Sequence, residues 1–215
     1  MRTPLIVGNW KMYKTVDEAV QYVKDLCSLV KDIHDVNVVI APTFIALHAT
    51  AQAARNNKVE IAAQDLYWEV EGAFTGEISC NMLKNVGCQW VIVGHSERRS
   101  ILGETDEMIQ KKLHQVVTEN LSPILCIGET IDERNGGNTK GVLKRQLSRA
   151  CENIDKASLN KMVVAYEPVW AIGTGVTATG DMISKTHNDI RNILNNNGLN
   201  GAGMSILYGG SVSCN

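Results

Sequence analysis

The sequence contains no apolar run that approaches the roughly 20 residues needed to cross a membrane. It also has no marked excess of charge, because the formal net charge of its 215 residues is −2, so nothing suggests binding to nucleic acid. The N-terminus leads directly into strand-like Leu5-Ile6-Val7 without a secretory signal pattern. We therefore expect a globular protein of the cytoplasm that acts neither on nucleic acid nor in a membrane.

Metal-binding cysteine patterns are absent as well. The six cysteines form no C-x-x-C pair, and no Cys/His spacing fits a tetrahedral metal. Most of them lie in apolar helix or strand patterns. The sequence therefore predicts buried free thiols in a reducing compartment and no metal site.

What the sequence does contain is a steady alternation of short strands and amphipathic helices. The capping box Thr15-Val16-Asp17-Glu18 opens the first helix, and helical patterns also fit residues 44–55, 79–86, 106–120, 141–154 and 181–196. The strand patterns begin near Leu5, Val38, Val59, Trp90, Ile124, Met162 and Ser205. This alternation predicts parallel strands joined by crossover helices. No Pro- or Ser-rich linker interrupts it, so we expect residues 1–215 to form one domain.

Two α/β folds fit this order, an open doubly wound sheet and a (β/α)8 barrel. Polar side chains follow the first, fourth, sixth and seventh strands. An open sheet gathers ligand-binding residues from two or three strands at one switch point, whereas a ring of strands gathers them from all. The barrel is therefore favoured. Such barrels have ~250 residues, so we expect a barrel truncated after its seventh strand, with the eighth βα unit missing from this sequence.

Glu167 is the first candidate for chemistry. The strand that starts near Met162 ends at this carboxylate, because Pro168 has no N–H to continue the ladder. An apolar segment, Val169-Trp170-Ala171-Ile172, and the glycines of Gly173-Thr174-Gly175 follow. The alternative is a solvated carboxylate at a strand end, which is the usual state of Glu. An apolar lid that excludes water would make Glu167 a stronger base.

His95 and Lys11 are the next candidates. His95 follows the fourth strand where a short helical turn could start, and the positive end of a helix favours a neutral ring that donates a hydrogen bond to a carbonyl oxygen. Lys11, after Asn9 on the first strand, could neutralise a phosphate or an enolate, with Glu97 as an ion-pair partner. Gly209-Gly210-Ser211 could supply backbone N–H groups to a phosphate.

No cofactor motif accompanies these residues. Gly173-Thr174-Gly175-Val176-Thr177-Ala178 fits the dinucleotide fingerprint only formally, because it neither follows a strand directly nor opens a helix. We therefore expect no cofactor. A carboxylate base, a neutral histidine, a lysine and glycine loops suit proton transfer beside a carbonyl in a small phosphorylated substrate.

Long motifs spread from residue 8 to 212 resemble the triosephosphate isomerase family. They are Gly8-Asn9-Trp10-Lys11-Met12, Ala73-Phe74-Thr75-Gly76-Glu77, Gly94-His95-Ser96-Glu97-Arg98-Arg99, Tyr166-Glu167-Pro168-Val169-Trp170-Ala171-Ile172-Gly173-Thr174-Gly175 and Tyr208-Gly209-Gly210-Ser211-Val212. The resemblance implies interconversion of dihydroxyacetone phosphate and D-glyceraldehyde 3-phosphate through an enediolate, in glycolysis and gluconeogenesis.

The resemblance also implies a role for each site residue. Glu167 would be the general base and His95 the electrophile. Asn9, Lys11, Gly173 and Ser211 would bind substrate, with Ser96 and Glu97 in support. Val176 and Gly180 depart from the Lys and Pro that the resemblance leads us to expect, which predicts a looser far hinge of the lid and a looser start of the next helix.

A homodimer is the partner that the resemblance implies. The loop over residues 64–77 would insert beside the first loop of a second copy, with Phe74 and Thr75 at the contact. Leu66, Tyr67 and Trp68 make this loop too apolar for a free surface loop, which supports an interface independently.

Two alternatives to an active isomerase remain open. The chain could be a catalytically impaired partial barrel, because the eighth strand is missing from the sequence. It could also be an aldolase on the same fold, with Lys11 as the Schiff-base lysine.

Overall fold

The computed structural model describes residues 2–172, 177–210 and 212. These residues form two compact units. The first unit contains the residues up to Val93 together with Gln115–Pro123, and the second contains Gly94–His114 and the residues from Ile124 onward. That residues 1–215 form one domain stays a prediction.

The first unit is built on parallel strands with helices between them. Its strands pair in sequence order, and the register aligns Leu5 with Asn37 and Asn9 with Ala41 in the first pair. The elements are β1 (Leu5–Asn9), α1 (Val16–Val30), β2 (Asn37–Ala41), α2 (Phe44–Ala54), β3 (Val59–Ala63), α3 (Cys80–Val86) and β4 (Trp90–Val93).

Helix α1 illustrates why these segments fold as they do. Its predicted capping box is present: the Thr15 N–H donates to Glu18 Oε2 at 2.8 Å, which satisfies a backbone donor that the first turn leaves unpaired. Ala19, Val23 and Cys27 recur at helical spacing and are buried. Cap and apolar stripe therefore agree with the sequence pattern.

The second unit repeats the strand–helix alternation. Helix α5 (Asp106–Thr118) and strand β5 (Ser122–Ile127) have residues in both units. The remaining elements are α4 (Ser96–Ser100), α6 (Ile131–Asn135), α7 (Thr139–Ala150), a 3₁₀ helix (Lys156–Lys161), β6 (Val163–Tyr166), a second 3₁₀ helix (Val169–Ala171), α8 (Gly180–Asn196) and β7 (Ile206–Tyr208).

Strand β6 lies between β5 and β7, and both pairings are parallel. The register aligns Tyr166 with Ile127 on one side and with Tyr208 on the other. Beyond this row, the Glu167 N–H donates to the Ile127 carbonyl at 2.8 Å and the Gly209 N–H donates to the Tyr166 carbonyl at 2.8 Å. The ladder therefore fixes the backbone up to the first residue after the strand, which is Glu167.

The predicted elements agree closely with the observed ones. Each predicted strand start lies within two residues of the observed start, and the six predicted helices are present. Helix α6 and the two 3₁₀ helices were not predicted, because segments this short carry too few residues to display a periodic pattern.

The described cysteines are mostly buried, as the sequence predicts. Cys27, Cys80, Cys88 and Cys126 are buried and Cys151 is partly so, while Cys214 lies outside the described residues. Burial raises the pKa of the Cys80 thiol to about 12 and that of Cys88 to about 12, which keeps both thiols protonated at neutral pH. Within the described part of the chain, no helix combines the length and apolarity that crossing a membrane requires.

Candidate active site

The Glu167 carboxylate lies at the end of β6 and is only 4% exposed. Its Oε2 accepts a hydrogen bond from the Ser96 backbone N–H at 2.8 Å, and its Oε1 lies 3.2 Å from His95 Nε2. Both oxygens therefore face donors from the segment that follows β4. The structure brings Glu167, His95 and Ser96 together.

His95 precedes the first residue of α4 and caps that helix. Its Nδ1 accepts a hydrogen bond from the Glu97 N–H at 3.2 Å, so this nitrogen carries no proton. Glu97 Oε2 lies 3.5 Å from the same nitrogen, too far for a competing strong hydrogen bond. The hydrogen bonds thus assign a neutral ring with its proton on Nε2, the atom that faces Glu167.

Cys126 on β5 is a buried thiol near the base. Burial and the nearby negative charge of Glu167 raise the pKa of this thiol. The thiol therefore stays protonated beside the carboxylate.

Two glycines border Glu167, one at the end of each neighbouring strand. A Cβ on Gly128, after β5, would lie 2.7 Å from the Glu167 carbonyl carbon, and a Cβ on Gly209, after β7, would lie 3.0 Å from Glu167 Cγ. Real Cβ atoms essentially never lie closer than 3.0 Å to another heavy atom, so a side chain on Gly128 is excluded, and one on Gly209 would require the Glu167 side chain to shift. The base fits against its neighbours because Gly128 lacks a side chain.

Glu129 is a second buried carboxylate, one residue beyond Gly128. Its Oε1 accepts from Tyr166 OH at 3.1 Å and from Trp170 Nε1 at 3.0 Å, and it pairs with Arg134 Nη1 at 3.0 Å. The Arg134 guanidinium also lies over the Trp170 ring, 4.5 Å from its centroid. Burial and the Glu129 charge raise the pKa of Tyr166, so its hydroxyl remains a donor. Glu129 thereby binds the residues on both sides of Glu167.

Asn9 and Lys11 lie in the first unit, at the end of β1. Lys11 has a positive φ of 50°, a conformation that is uncommon outside glycine. Two hydrogen bonds support it: the Lys11 N–H donates to Asn9 Oδ1 at 3.0 Å, and Gln64 Nε2 donates to the Lys11 carbonyl at 2.8 Å. The Lys11 backbone is therefore held in a defined, strained position.

The other predicted residues are placed only in part. Phe74 and Thr75 lie in the first unit and are exposed. Gly173 and Ser211 lie outside the described residues, as does Val176. The segment after Glu167 forms the 3₁₀ helix Val169–Ala171, with Ala171 buried, and α8 begins at Gly180 with Thr179 as its cap.

Sequence reasoning did not single out Cys126 or Glu129 as site residues. Glu129 could have been found, because it follows the end of β5 just as His95 follows β4 and Glu167 follows β6. Cys126 offers no such signal, since a cysteine within an apolar strand has the pattern of an ordinary core residue.

The arrangement in the second unit suits acid–base chemistry. A buried carboxylate and a neutral imidazole face each other at 3.2 Å, so one can accept a proton while the other donates a hydrogen bond to an oxygen. Within residues 2–172, 177–210 and 212, no cluster of three or more His, Cys, Asp or Glu side chains could hold a metal ion.

The described residues form parallel strands with helices between them, and a carboxylate and an imidazole face each other at the strand ends. These features are typical of an α/β enzyme that catalyses proton transfer. The triosephosphate isomerase family model matches residues 4–215. The chain belongs to the triosephosphate isomerase family.

Curated relatives extend this match over almost the whole chain. The triosephosphate isomerase of Geotalea uraniireducens is 45% identical over 214 residues, 99% of this chain and 85% of the relative. That of Trichlorobacter lovleyi is 46% identical with the same coverage. That of Clostridium perfringens strain SM101 is 48% identical over 191 residues, 89% of this chain and 77% of the relative.

Family membership confirms the predicted fold class, the (β/α)8 barrel. The described residues contain seven of its strands, and the chain spans 85% of the length of the first of these relatives.

Proposed function

We propose that this chain interconverts dihydroxyacetone phosphate and D-glyceraldehyde 3-phosphate, with Glu167 as the general base and His95 as the electrophile. The observation that carries the proposal is the buried Glu167 carboxylate, 3.2 Å from a His95 Nε2 that bears the proton. The reaction moves one proton between adjacent carbons and one between their oxygens, which requires a base and a donor side by side.

The hydrogen bonds around Glu167 indicate how the reaction would begin. His95 Nε2 and the Ser96 N–H both face the carboxylate. When substrate binds, the Nε2–H would turn to the carbonyl oxygen, which leaves one carboxylate oxygen free to take a proton from the neighbouring carbon. The C–H electron pair then forms the C–C double bond of an enediolate, and the carbonyl oxygen gains the negative charge. His95 would then transfer the hydroxyl proton from one oxygen of the enediolate to the other, and return of the proton from Glu167 to the other carbon completes the isomerisation.

The remaining roles follow from the family resemblance. Lys11 and Asn9 would bind substrate, and the Lys11 charge would stabilise phosphate and enediolate. Gly173 and Ser211 would donate backbone N–H groups to the phosphate, while Glu97 and Ser96 support the histidine and the base. Exclusion of water by the segment after Glu167 would prevent the enediolate from eliminating phosphate.

A coupled assay that follows triose phosphate isomerisation tests the proposed function. We expect residues 1–215 to show a cooperative near-ultraviolet circular dichroism transition and to convert D-glyceraldehyde 3-phosphate into dihydroxyacetone phosphate. A folded but inactive protein would favour the partial-barrel alternative. Borohydride treatment with dihydroxyacetone phosphate should leave Lys11 unmodified, and a trapped adduct at Lys11 would favour the aldolase.

We further propose that the protein is a homodimer in solution. Met12 and Tyr13, beyond the end of β1, are 91% and 72% exposed. In the loop over residues 64–77, the Tyr67 ring stacks on Trp68 at 4.0 Å and contacts Phe74 at 4.7 Å. Exposed apolar and aromatic side chains that contact one another are typical of an interface. Gln64 links the two segments, because its side chain donates to the Lys11 carbonyl.

The substitution Thr75→Arg tests the dimer. An arginine at the centre of the contact would place an unpaired charge in an apolar interface, so we expect the mass from light scattering to fall from that of a dimer to that of a monomer. Leu29→Arg, at a position of α1 that is 78% exposed, is the matched control and should leave the mass unchanged. A wild-type protein that is monomeric at micromolar concentration would refute the proposal.

A location in the cytoplasm, and the absence of nucleic-acid and membrane partners, stay predictions.

A further inference from the structure

Gln146 on α7 is a buried polar side chain, 6% exposed, that the sequence analysis did not single out. Its amide makes two hydrogen bonds to one residue. Gln146 Nε2 donates to the Gly128 carbonyl at 3.1 Å, and Gln146 Oε1 accepts from the Gly128 N–H at 2.8 Å. A buried backbone needs partners for both groups, and here a single side chain provides them.

Gly128 in turn defines where the backbone of Glu167 lies. The two residues are in such close contact that even a methyl group on Gly128 would overlap the Glu167 carbonyl. The segments that follow Gly128 and Glu167 also contact each other, because the Val169 N–H donates to the Glu129 carbonyl at 3.2 Å. A shift of the Gly128–Glu129 peptide would therefore move the segment that carries the base.

Glu129 adds a second link between this peptide and the base. Its carboxylate binds the side chains of Tyr166 and Trp170, which lie on either side of Glu167 in the chain. The position of Glu129 depends on the peptide that Gln146 holds. Backbone contact and side-chain hydrogen bonds thus connect Gln146 to Glu167 by two routes.

We propose that Gln146 is a positioning residue for the general base: its amide fixes the two peptide groups that flank Gly128 and, through them, the Glu167 carboxylate opposite His95. The inference rests on the proposed isomerase function. A positioning role can be distinguished from a purely structural one by kinetics. Misplacing a base slows the chemical step, and so lowers kcat, more than it weakens substrate binding.

Gln146→Leu removes both hydrogen bonds with little change in volume. We expect kcat to fall by about 10- to 100-fold, while KM changes by less than about threefold. Both constants are measured under conditions in which circular dichroism shows that the variant is fully folded. Ser148→Ala is the matched control on the same helix, because Ser148 hydrogen-bonds to Asn197 of the second unit at 3.1 Å. It should keep both kinetic constants within about twofold of the wild type.

Gln146→Glu supplies a readout that does not depend on the leucine variant. A protonated carboxyl group can donate to the Gly128 carbonyl as the amide does, whereas a carboxylate only accepts. Burial raises the pKa of a glutamate. We therefore expect the ratio of kcat for Q146E to that of the wild type to rise as the pH falls across roughly pH 9 to 6, and the ratio for Q146L to stay flat.

The outcomes separate the inference from the function on which it rests. An inactive wild type would refute the proposed function. An active wild type with unchanged kcat in folded Q146L, or a loss confined to KM, would overturn the role of Gln146. If Q146L does not fold, the pH dependence of the Q146E ratio decides alone, and a flat ratio overturns the inference.

Discussion

Replacing Glu167 with glutamine is expected to lower kcat by about 10³-fold, within the range that general acid–base catalysis contributes. The amide keeps the shape of the side chain but cannot take a proton from carbon. It also meets two donors, the Ser96 N–H and the His95 Nε2–H, and its own NH₂ group must face one of them. We therefore expect the loss in kcat to be accompanied by displacement of the side chain from its present position.

Glu167→Asp separates basicity from position. The shorter side chain remains a carboxylate but draws the oxygens back from the reacting carbon, and a misplacement of about 1 Å lowers the rate by about 10²-fold. The expected order in the coupled assay is therefore wild type, then E167D, then E167Q. Glu133→Gln is the control, because Glu133 is a surface residue that caps α6 through Thr130, and it should retain wild-type kcat. Undiminished turnover in E167Q would exclude Glu167 as the base.

The kcat of these variants depends on the groups around the carboxylate as well as on the carboxylate itself. Two donors face its oxygens, the His95 Nε2–H and the Ser96 N–H. Both residues are buried, so water does not replace a donor that a substitution misaligns. A buried donor without a partner destabilises the protein by about 1–3 kcal/mol, which is why E167Q is expected to rearrange rather than to mimic the native hydrogen bonds.

The site residues that the sequence could predict are those that directly follow a strand. The carboxyl ends of parallel strands lie at one edge of a sheet, so a polar residue directly after a predicted strand is a candidate. This reasoning identified His95 after β4 and Glu167 after β6. It needs only approximate strand ends, and those are available because apolar runs and the glycines or prolines that stop them are local signals.

Residues that act through others carry no such signal. Gln146 contacts Gly128 across 18 positions of the chain, and Glu129 contacts Tyr166 across 37. In the sequence, Gln146 is a polar residue of an amphipathic helix, a pattern that predicts exposure. Its burial follows from the register of α7 against the end of β5, which depends on the packing of the whole unit. The positive φ of Lys11 is likewise set by partners, Asn9 and Gln64, that local propensity does not reveal.

The substitution Gly128→Ala should reduce stability more than any other single methyl group added near the site. Its Cβ would lie 2.7 Å from the Glu167 carbonyl carbon and 3.3 Å from Glu167 Cα. Both are backbone atoms, so no side chain can rotate away, and one of two strand ends must move. Overpacking against rigid atoms destabilises by roughly 3 kcal/mol or more. For a chain of this size, we expect Tm to fall by roughly 6 to 12 °C.

Gly180→Ala is the matched control for this prediction. Gly180 is the first residue of α8, and a Cβ there meets no atom within 4 Å. Alanine should leave the free energy of unfolding unchanged or raise it by up to about 1 kcal/mol. Differential scanning calorimetry of the two variants then separates the general effect of replacing glycine from contact with Glu167.

If G128A unfolds at the wild-type temperature and retains wild-type kcat, the contact between Gly128 and the base does not limit either stability or catalysis. The expected result, a lower Tm together with a reduced kcat in the fraction that remains folded, would show that the absence of a side chain at Gly128 is what allows the base to lie opposite His95.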